Sequence, residues 1–171
     1  MKTSRLVAGA AMAAGVLLLQ SPAFSQFDGQ TIPGVGCTKI GSSGTLASWF
    51  GTIMNTHTSS ALSLMCPLAT PKQLTPGPEW DLYATAVQVF DRHSSQDVSC
   101  VRYSEYVSGS SYFSEDDPAN TTGSSASVKT INFGAEDPIY NHHYLTCSLP
   151  PEQNGSRSHL ISVQYLSRGL E

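Results

Sequence analysis

Short strand-like segments, most of them with alternating apolar and polar residues and separated by turns, run through most of the chain. The clearest of these segments are residues 80–91, 97–106, 140–149 and 159–166. A period of two is typical of β-strands, because successive side chains point to opposite faces of a sheet. Beyond residue 25 no segment has the 3.6-residue periodicity of an amphipathic helix. The pattern predicts an all-β domain of about seven or eight strands.

The arrangement of these strands follows from their connections, which are short and contain no crossover helix. Such connections favour antiparallel sheets. Two packed sheets bury a core of this size better than one open sheet, so we predict an antiparallel β-sandwich, with a closed barrel as the alternative. Segment 80–91 is apolar on both faces and is expected to be central, with 97–106 as its hairpin partner. Residues Phe50–Asn55 are expected to pair with the strand at 61–66.

The N-terminal segment has the composition of a signal peptide. It begins with two cations, Lys2 and Arg5, continues with an apolar run, Leu6–Leu19, and ends with small residues. This order predicts cleavage between Ser25 and Gln26. The apolar run is too short to span a bilayer as a permanent helix. We therefore expect a secreted protein, periplasmic or extracellular, with no membrane span in the mature chain.

Cleavage at this point would leave 146 residues, enough for one domain with its own core. We predict an irregular lead-in rich in Gly, Pro and Ser at 26–44 and the β-sandwich domain at 45–171. The mature chain would hold 7 basic and 13 acidic residues, a net charge of −6. This balance repels phosphate backbones and anionic lipid, which argues against nucleic acid and membrane surfaces as partners.

Four cysteines follow the leader, and in an oxidising compartment an even number indicates two disulfides. Three pairings are open, and we favour Cys37–Cys66 with Cys100–Cys147. Cys100 and Cys147 lie in alternating segments, as residues that join neighbouring or facing strands would, whereas Cys37 lies in the lead-in and Cys66 ends an apolar run. A zinc site is the rival interpretation, but no two cysteines have the short spacing of a zinc knuckle.

Histidines are the first candidates for chemistry. His142 and His143 are adjacent on a predicted strand, so their side chains should point to opposite faces and cannot easily share a metal ion. His143 shares its face with Leu145, which predicts a buried, hydrogen-bonded side chain. No known metal-ligand spacing occurs among the histidines.

Acidic turns are the second candidates. The runs Glu115-Asp116-Asp117 and Glu136-Asp137 flank one predicted strand, and each ends at a proline. Oxygen ligands on converging turns can bind Ca²⁺. The other interpretation is that these charges keep the ends of the sandwich soluble and stop the adjoining strands. We predict no cofactor, with calcium at these turns as the alternative.

Aromatic residues are the third candidates. Tyr106, Tyr112 and Phe113 lie near turns rich in Ser and Gly, and we predict them as ligand contacts, because exposed rings stack sugars or peptide side chains. Aromatic residues within strands, Trp80 and Tyr103 among them, are predicted to fill the core instead.

Several landmarks occur in an order that resembles a group of exported bacterial β-sandwich proteins with no established activity. The resemblance implies a β-sandwich with disulfides, and it implies no activity and no site residues. The landmarks are Cys66-Pro67, Asp91-Arg92, Val98-Ser99-Cys100, the segment Tyr144–Pro151 and the final strand Ser158–Tyr165.

These observations together predict a non-catalytic binding or structural module at the cell envelope or outside the cell. Its expected partner is a polysaccharide or an envelope protein. The alternative is a small secreted hydrolase with a carboxylate or histidine site on the rim of the sandwich, although no Gly-x-Ser-x-Gly nucleophile motif occurs. A third interpretation is a subunit of a larger surface assembly, which an unpaired exposed edge strand would indicate.

Overall fold

A computed structural model describes residues 27–68, 80–108, 111–135, 140 and 142–169. The predicted signal peptide and its cleavage site lie outside these ranges. Within them the chain forms eleven strands and one short 3-10 helix, and no helix there is long and apolar enough to cross a membrane.

The strands form two antiparallel sheets, which confirms the predicted all-β, two-sheet sandwich. The strands are β1 Phe27–Pro33, β2 Thr38–Ile40, β3 Leu46–Trp49, β4 Thr52–Asn55, β5 Leu62–Leu68, β6 Trp80–Phe90, β7 Ser99–Ser108, β8 Ser111–Asn120, β9 Val128–Phe133, β10 His142–Leu149 and β11 His159–Gly169; the 3-10 helix is Gly34–Gly36. One sheet has the order β3-β4-β11-β6-β9, with β1 also paired to β11, and the other has the order β2-β5-β10-β7-β8.

The inward faces of both sheets contribute to one hydrophobic core. Leu64 and Leu145 come from the five-stranded sheet, Val87 and Val163 come from the six-stranded sheet, and all four are fully buried. Burying an aliphatic side chain of this size stabilises the fold by about 1.5–3 kcal/mol. Strand β6 lies between β11 and β9, so the prediction that it is central is confirmed.

Both predicted disulfides form, and both lie in the five-stranded sheet. Cys100 on β7 is directly opposite Cys147 on β10, with their Cα atoms 4.1 Å apart. Cys37 immediately precedes β2 and is bonded to Cys66 on β5, the strand with which β2 pairs. Each bond therefore joins neighbouring strands of one sheet, and neither joins the two sheets.

The lead-in at 26–44 differs from the irregular segment that we predicted. It contains β1, the 3-10 helix and β2, and β1 pairs with β11 over its full length, from Phe27 opposite Arg168 to Pro33 opposite Ser162. Strand β1 could not be recognised from its sequence, because it contains glycine and ends with proline. Both residues are tolerated here because the strand lies at a sheet edge.

Two predicted strand pairings are wrong. Strands β6 and β7 belong to different sheets, because the eight residues at 91–98 cross from one sheet to the other instead of forming a hairpin. Strand β4 pairs with β3 and β11 and not with β5. The turn-rich segment 108–127 contains β8, which forms a hairpin with β7. Adjacent strands pair here only where the loop between them is very short.

Candidate ligand-binding site

Trp49 and Phe50, at the tip of the β3–β4 hairpin, are the most exposed aromatic side chains that the structure describes, at 60% and 87%. The hairpin turns through Phe50 and Gly51, whose φ angles of 46° and 80° suit the right-handed twist of the strands. The Thr52 hydroxyl donates to the Trp49 carbonyl over 2.7 Å, and the Val35 N–H donates to the Gly51 carbonyl over 3.1 Å. The tip is therefore tied to the body of the domain.

This hairpin tip is costly to maintain. A non-glycine residue in the left-handed region, such as Phe50, costs roughly 1–2 kcal/mol, and both rings lie in water. The Phe50 ring packs edge-on against Trp49, with centroids 4.8 Å apart, which restricts the indole further. An exposed aromatic pair held in one position indicates a binding surface.

Trp49 lines a cavity of about 420 Å³ on the outer face of the six-stranded sheet, which we call the Trp49 pocket. Met54 on β4 lies directly opposite His159 on β11, and both side chains face outward because their neighbours Ile53 and Leu160 face the core. Although Met54 faces outward it is only 7% exposed, so it forms an apolar floor. The volume is in the range of about 300–1,000 Å³ that is typical of small-ligand sites. The lining residues are Ala47, Ser48, Trp49, Met54, Arg92, Gly155, Arg157 and His159.

The β10–β11 loop forms part of the wall and has a tight turn of its own. Gln153 and Ser156 exchange two backbone hydrogen bonds of 3.0 and 2.9 Å. Between them Asn154 and Gly155 have positive φ angles, 51° and 77°, which is the conformation that an Asn-Gly pair favours. The loop is thus a defined structure and not an irregular connection.

The β6–β7 loop supplies Arg92 and is bonded to the β10–β11 loop at two points. The backbone N–H and the hydroxyl of Ser94 both donate to the Gln153 side-chain oxygen, over 2.9 and 2.8 Å. The Arg92 N–H donates to the Ser158 hydroxyl over 3.0 Å. These bonds fix the two loops relative to each other, so a ligand would meet a pre-formed wall.

The charged groups of the pocket differ in their partners. The exposed Arg92 guanidinium lies 5.3 Å from the centroid of the Phe90 ring, whereas Arg157 forms an ion pair with Glu152, with 2.6 Å between Nε and Oε2. Burial lowers the pKa of His159, and the charges of Arg92 and Arg157 lower it further. His159 is therefore neutral at pH 7, with one donor and one acceptor nitrogen.

Two further cavities lie near the Trp49 pocket. One, of about 300 Å³, also has Arg92 in its wall and is otherwise lined mainly by serines, so Arg92 borders both cavities. The other is a trough of about 350 Å³ over the small residues Ala84 and Ala86, next to Gln164. At about 3.3 Å per residue, the five residue steps of β11 from His159 to Gln164 span roughly 17 Å. The outer face of this sheet thus carries depressions along much of its length.

The predicted ligand contacts Tyr106, Tyr112 and Phe113 lie on the β7–β8 hairpin of the other sheet. The strand register places Tyr106 opposite Phe113 and Tyr112 opposite Val107. Tyr106 is half-buried, and the side chains of Tyr112 and Phe113 lie outside the described part of the chain. Ligand contact by these three residues stays a prediction, and the Trp49 pocket is a separate site.

Tyr103, which we expected in the core, lies on the outer face of the five-stranded sheet. The inward positions beside it are held by Arg102 and Ser104. Its ring stacks on that of Tyr144, with centroids 4.9 Å apart and an interplanar angle of 12°, and the Tyr144 hydroxyl donates to Glu105 over 3.0 Å. Because the two rings cover each other, this pair offers a ligand less ring surface than Trp49 does.

The acidic run Glu115-Asp116-Asp117 lies in strand β8 and not in a turn. Strand geometry sends its carboxylates to alternate faces, and Asp117 forms a 3.1 Å ion pair with the buried Arg102, which also donates to the Gly134 carbonyl. The second run, Glu136-Asp137, lies outside the described residues. Within the described ranges no three His, Cys, Asp or Glu side chains are grouped as a metal site would require. Calcium binding stays a prediction.

His142 and His143 point to opposite faces, as predicted: His142 is exposed and His143 is buried. The Nδ1 atom of His143 lies 3.0 Å from the hydroxyl of Ser104. Ser104 is fully buried, so a substrate in solvent cannot reach this serine and the pair does not supply the rim site of a hydrolase. Burial, together with the charges of Arg102 and His142, lowers the pKa of His143 to about 4.

This lowered pKa makes stability depend on pH. An unfolded chain protonates His143 at its ordinary pKa of 6.5, whereas the folded chain does so only at about 4. The contribution is therefore complete above pH 6.5 and is lost as the pH falls toward 4. We expect this histidine to remove about 3 kcal/mol from the free energy of unfolding across that interval. Urea denaturation as a function of pH measures it.

The comparison variants are His143→Gln and, as the exposed neighbour on the same strand, His142→Gln. The slope of stability against pH should become shallower between pH 6.5 and 4 only in His143→Gln. Equal slopes in all three proteins would contradict this assignment.

Sequence reasoning missed Trp49 and placed Phe50 inside a strand. The available signal was Gly51, because a glycine between two short apolar segments favours a two-residue turn. Read in that way, Trp49 and Phe50 fall at a hairpin tip, where no core can cover them.

No protein-family model and no curated protein matches the chain. Solved structures that are similar to it at low identity include three carbohydrate-binding modules. A low-affinity xylan-binding module from Roseburia intestinalis is 12% identical with a TM-score of 0.42, over 81% of this chain and 94% of the module. A family 29 carbohydrate-binding module from Piromyces equi is 12% identical with a TM-score of 0.45, over 82% and 90%. A family 11 carbohydrate-binding module from Clostridium thermocellum, in complex with a β-1,3-1,4-mixed-linked tetrasaccharide, is 11% identical with a TM-score of 0.34, over 83% and 87%.

Proposed function

We propose that this protein is a non-catalytic carbohydrate-binding protein of the cell envelope or the extracellular space, and that the Trp49 pocket holds the sugar. The observation that carries the proposal is the exposed Trp49 indole, fixed on a tied hairpin beside a cavity with polar groups in its wall. A sugar ring has an apolar C–H face that packs on an aromatic ring and hydroxyls that need donors and acceptors around the edge. The pocket supplies both.

Each group of the pocket has a part in this binding. Trp49 packs on the face of the sugar, and Met54 excludes water from beneath it. Neutral His159 donates to one hydroxyl and accepts from another. The guanidinium of Arg92 donates in a planar fork, which suits two adjacent oxygen atoms.

The composition of the pocket favours binding over hydrolysis. Glycosidases generally use two carboxyl groups on either side of the scissile bond. Among the described residues that line the Trp49 pocket, none is Asp or Glu. Glu152 is not a lining residue, and it is held in the ion pair with Arg157, which is one. A bound sugar would thus meet donors and an aromatic face, and no acid–base pair.

Replacing Trp49 with alanine is expected to weaken glycan binding by about tenfold or more, because aromatic anchors in pre-formed pockets carry much of the binding energy. Trp49→Phe, which keeps a smaller ring, should give an intermediate affinity. A glycan and polysaccharide array selects the ligand, and calorimetric titration with the selected oligosaccharide measures the affinity of each variant.

Tyr106→Ala is the matched control, because it removes one predicted aromatic contact from the other sheet. Binding that survives Trp49→Ala and is lost in Tyr106→Ala would move the site to the β7–β8 hairpin. Release of reducing sugar during incubation would contradict a non-catalytic role.

A further inference from the structure

We infer that the Trp49 pocket prefers acidic sugars, specifically glycans that carry carboxylates such as uronates, and that Arg92 recognises the carboxylate. This inference rests on the proposed function, because it names the ligand class of the same pocket. It is argued from the charges around the cavity and from the partners that those charges have.

The first observation is the partner of Arg92. Of the arginine side chains that the structure describes, Arg102 and Arg157 form ion pairs with Asp117 and Glu152. Arg92 is instead exposed, and its guanidinium lies over the Phe90 ring. An aromatic face orients a guanidinium without neutralising it, and both edges of the fork stay available for an anion.

The second observation is the position of Arg92. It borders the Trp49 pocket on one side and the serine-lined cavity on the other. Its backbone is fixed by the hydrogen bond to Ser158, so the side chain extends from a defined point. A sugar packed on Trp49 can therefore direct a substituent to Arg92, and the next sugar unit can enter the cavity lined by Ser124 and Ser125.

The third observation is the local sign of the charge. The whole chain has a formal net charge of −4, yet the lining of this pocket contains two arginines and no acid among its described residues. Arg157 is paired with Glu152 and His159 is neutral, so the positive charge of the pocket comes from Arg92. An arginine without a carboxylate partner in a concave site attracts anions to that site, whereas the excess negative charge on the rest of the protein repels them. A planar carboxylate fits the guanidinium fork through two parallel hydrogen bonds, which a neutral hydroxymethyl group cannot form.

The test compares a carboxylate glycan with its uncharged methyl ester on the same sugar backbone, and with a sulfated glycan. Polygalacturonate and its methyl ester are titrated into the purified protein at about 50 mM and about 500 mM NaCl, with a sulfated glycan that contains no carboxylate as a third ligand. We expect polygalacturonate to bind at least about tenfold more tightly than the ester at low salt, because hydrogen bonds to charged groups are the stronger ones. The difference should shrink at high salt.

The variants are Arg92→Gln and Arg92→Lys. Arg92→Gln should abolish the preference for the acid, so that acid and ester bind with similar affinity. Arg92→Lys should keep only part of the preference, because lysine keeps the charge and loses the fork. Lys39→Gln is the control, since it makes the same change in net charge on the other sheet. Melting curves check that each variant is folded.

The outcomes separate this inference from the proposed function. Equal binding of acid and ester, with both lost in Trp49→Ala, would leave carbohydrate binding in place and overturn the acidic preference. Tighter binding of the sulfated glycan than of polygalacturonate would overturn the assignment to carboxylates. Failure of all three ligands, together with an empty glycan array, would overturn both proposals.

Discussion

Replacing Cys100 and Cys147 with alanine is expected to lower the free energy of unfolding by about 4 kcal/mol, the largest effect that we expect from the covalent structure. The bond closes a loop with a sequence separation of 47 residues between two central strands of the five-stranded sheet. Removing it gives the unfolded chain back the conformational freedom that the loop had lost. Urea denaturation of the oxidised proteins, followed by circular dichroism, measures the difference.

The second disulfide provides the comparison. Cys37–Cys66 has a sequence separation of 29 residues and ties the edge strand β2 to β5. The same relation gives about 3.6 kcal/mol for its removal, so Cys37→Ala with Cys66→Ala should be slightly the milder pair of changes. A loss of less than about 1 kcal/mol from either pair would contradict the view that these bonds stabilise the domain.

The strands that could be predicted from the sequence are those with one face on the core. In β10, His143, Leu145 and Cys147 alternate with exposed or half-buried residues, and this alternation follows directly from burial on one side. Strand β1 could not be found in this way. It lies at a sheet edge, and its residues Gly29 and Pro33 contribute little to a core. Its sequence therefore shows no alternation of apolar and polar residues, although it pairs with β11.

Which strands pair with each other is harder to predict than where the strands lie, because the pairing depends on the loops that connect them. A two-residue connection between β7 and β8 leaves no geometry except a hairpin, whereas the residues at 91–98 can reach either sheet. In the structure the loop crosses between the sheets, and Asp91 in this loop is hydrogen-bonded to residues far away in the sequence, such as Thr121 and Ser158. No local pattern in the chain encodes these hydrogen bonds.

The candidate site was hidden for a related reason. Trp49 comes from a hairpin, Arg92 from an inter-sheet loop and His159 from the start of β11, so they are separated by 43 and 67 positions in the sequence. Each is individually unremarkable, and aromatic residues near strands usually fill a core. Their convergence depends on β4, β11 and β6 lying side by side, which only the strand order reveals.

Asp91 is the group on which this convergence depends most. Its carboxylate is fully buried and accepts hydrogen bonds from the N–H groups of His93 and Val98, over 3.3 and 3.4 Å, and from the hydroxyls of Thr121 and Ser158. One side chain thus joins the three loops that follow β6, β8 and β10. Two of these loops contribute Arg92 and Arg157 to the wall of the Trp49 pocket.

Replacing Asp91 with alanine should therefore lower the free energy of unfolding by about 3–5 kcal/mol, because it leaves several buried donors without an acceptor. Asp91→Asn, which keeps the volume and one acceptor oxygen, should lower the free energy of unfolding by less.

Asp97→Ala is the matched control. Asp97 is exposed and accepts a hydrogen bond from the Gly123 N–H over 2.9 Å, so its replacement should lower the free energy of unfolding by about 1 kcal/mol. In Asp91→Asn, if it stays folded, we expect weaker glycan binding than in Asp97→Ala, because Arg92 is adjacent to the disturbed residue. Urea denaturation and glycan titration of the same samples measure both effects, and equal losses in the Asp91 and Asp97 variants would show that Asp91 does not hold the loops.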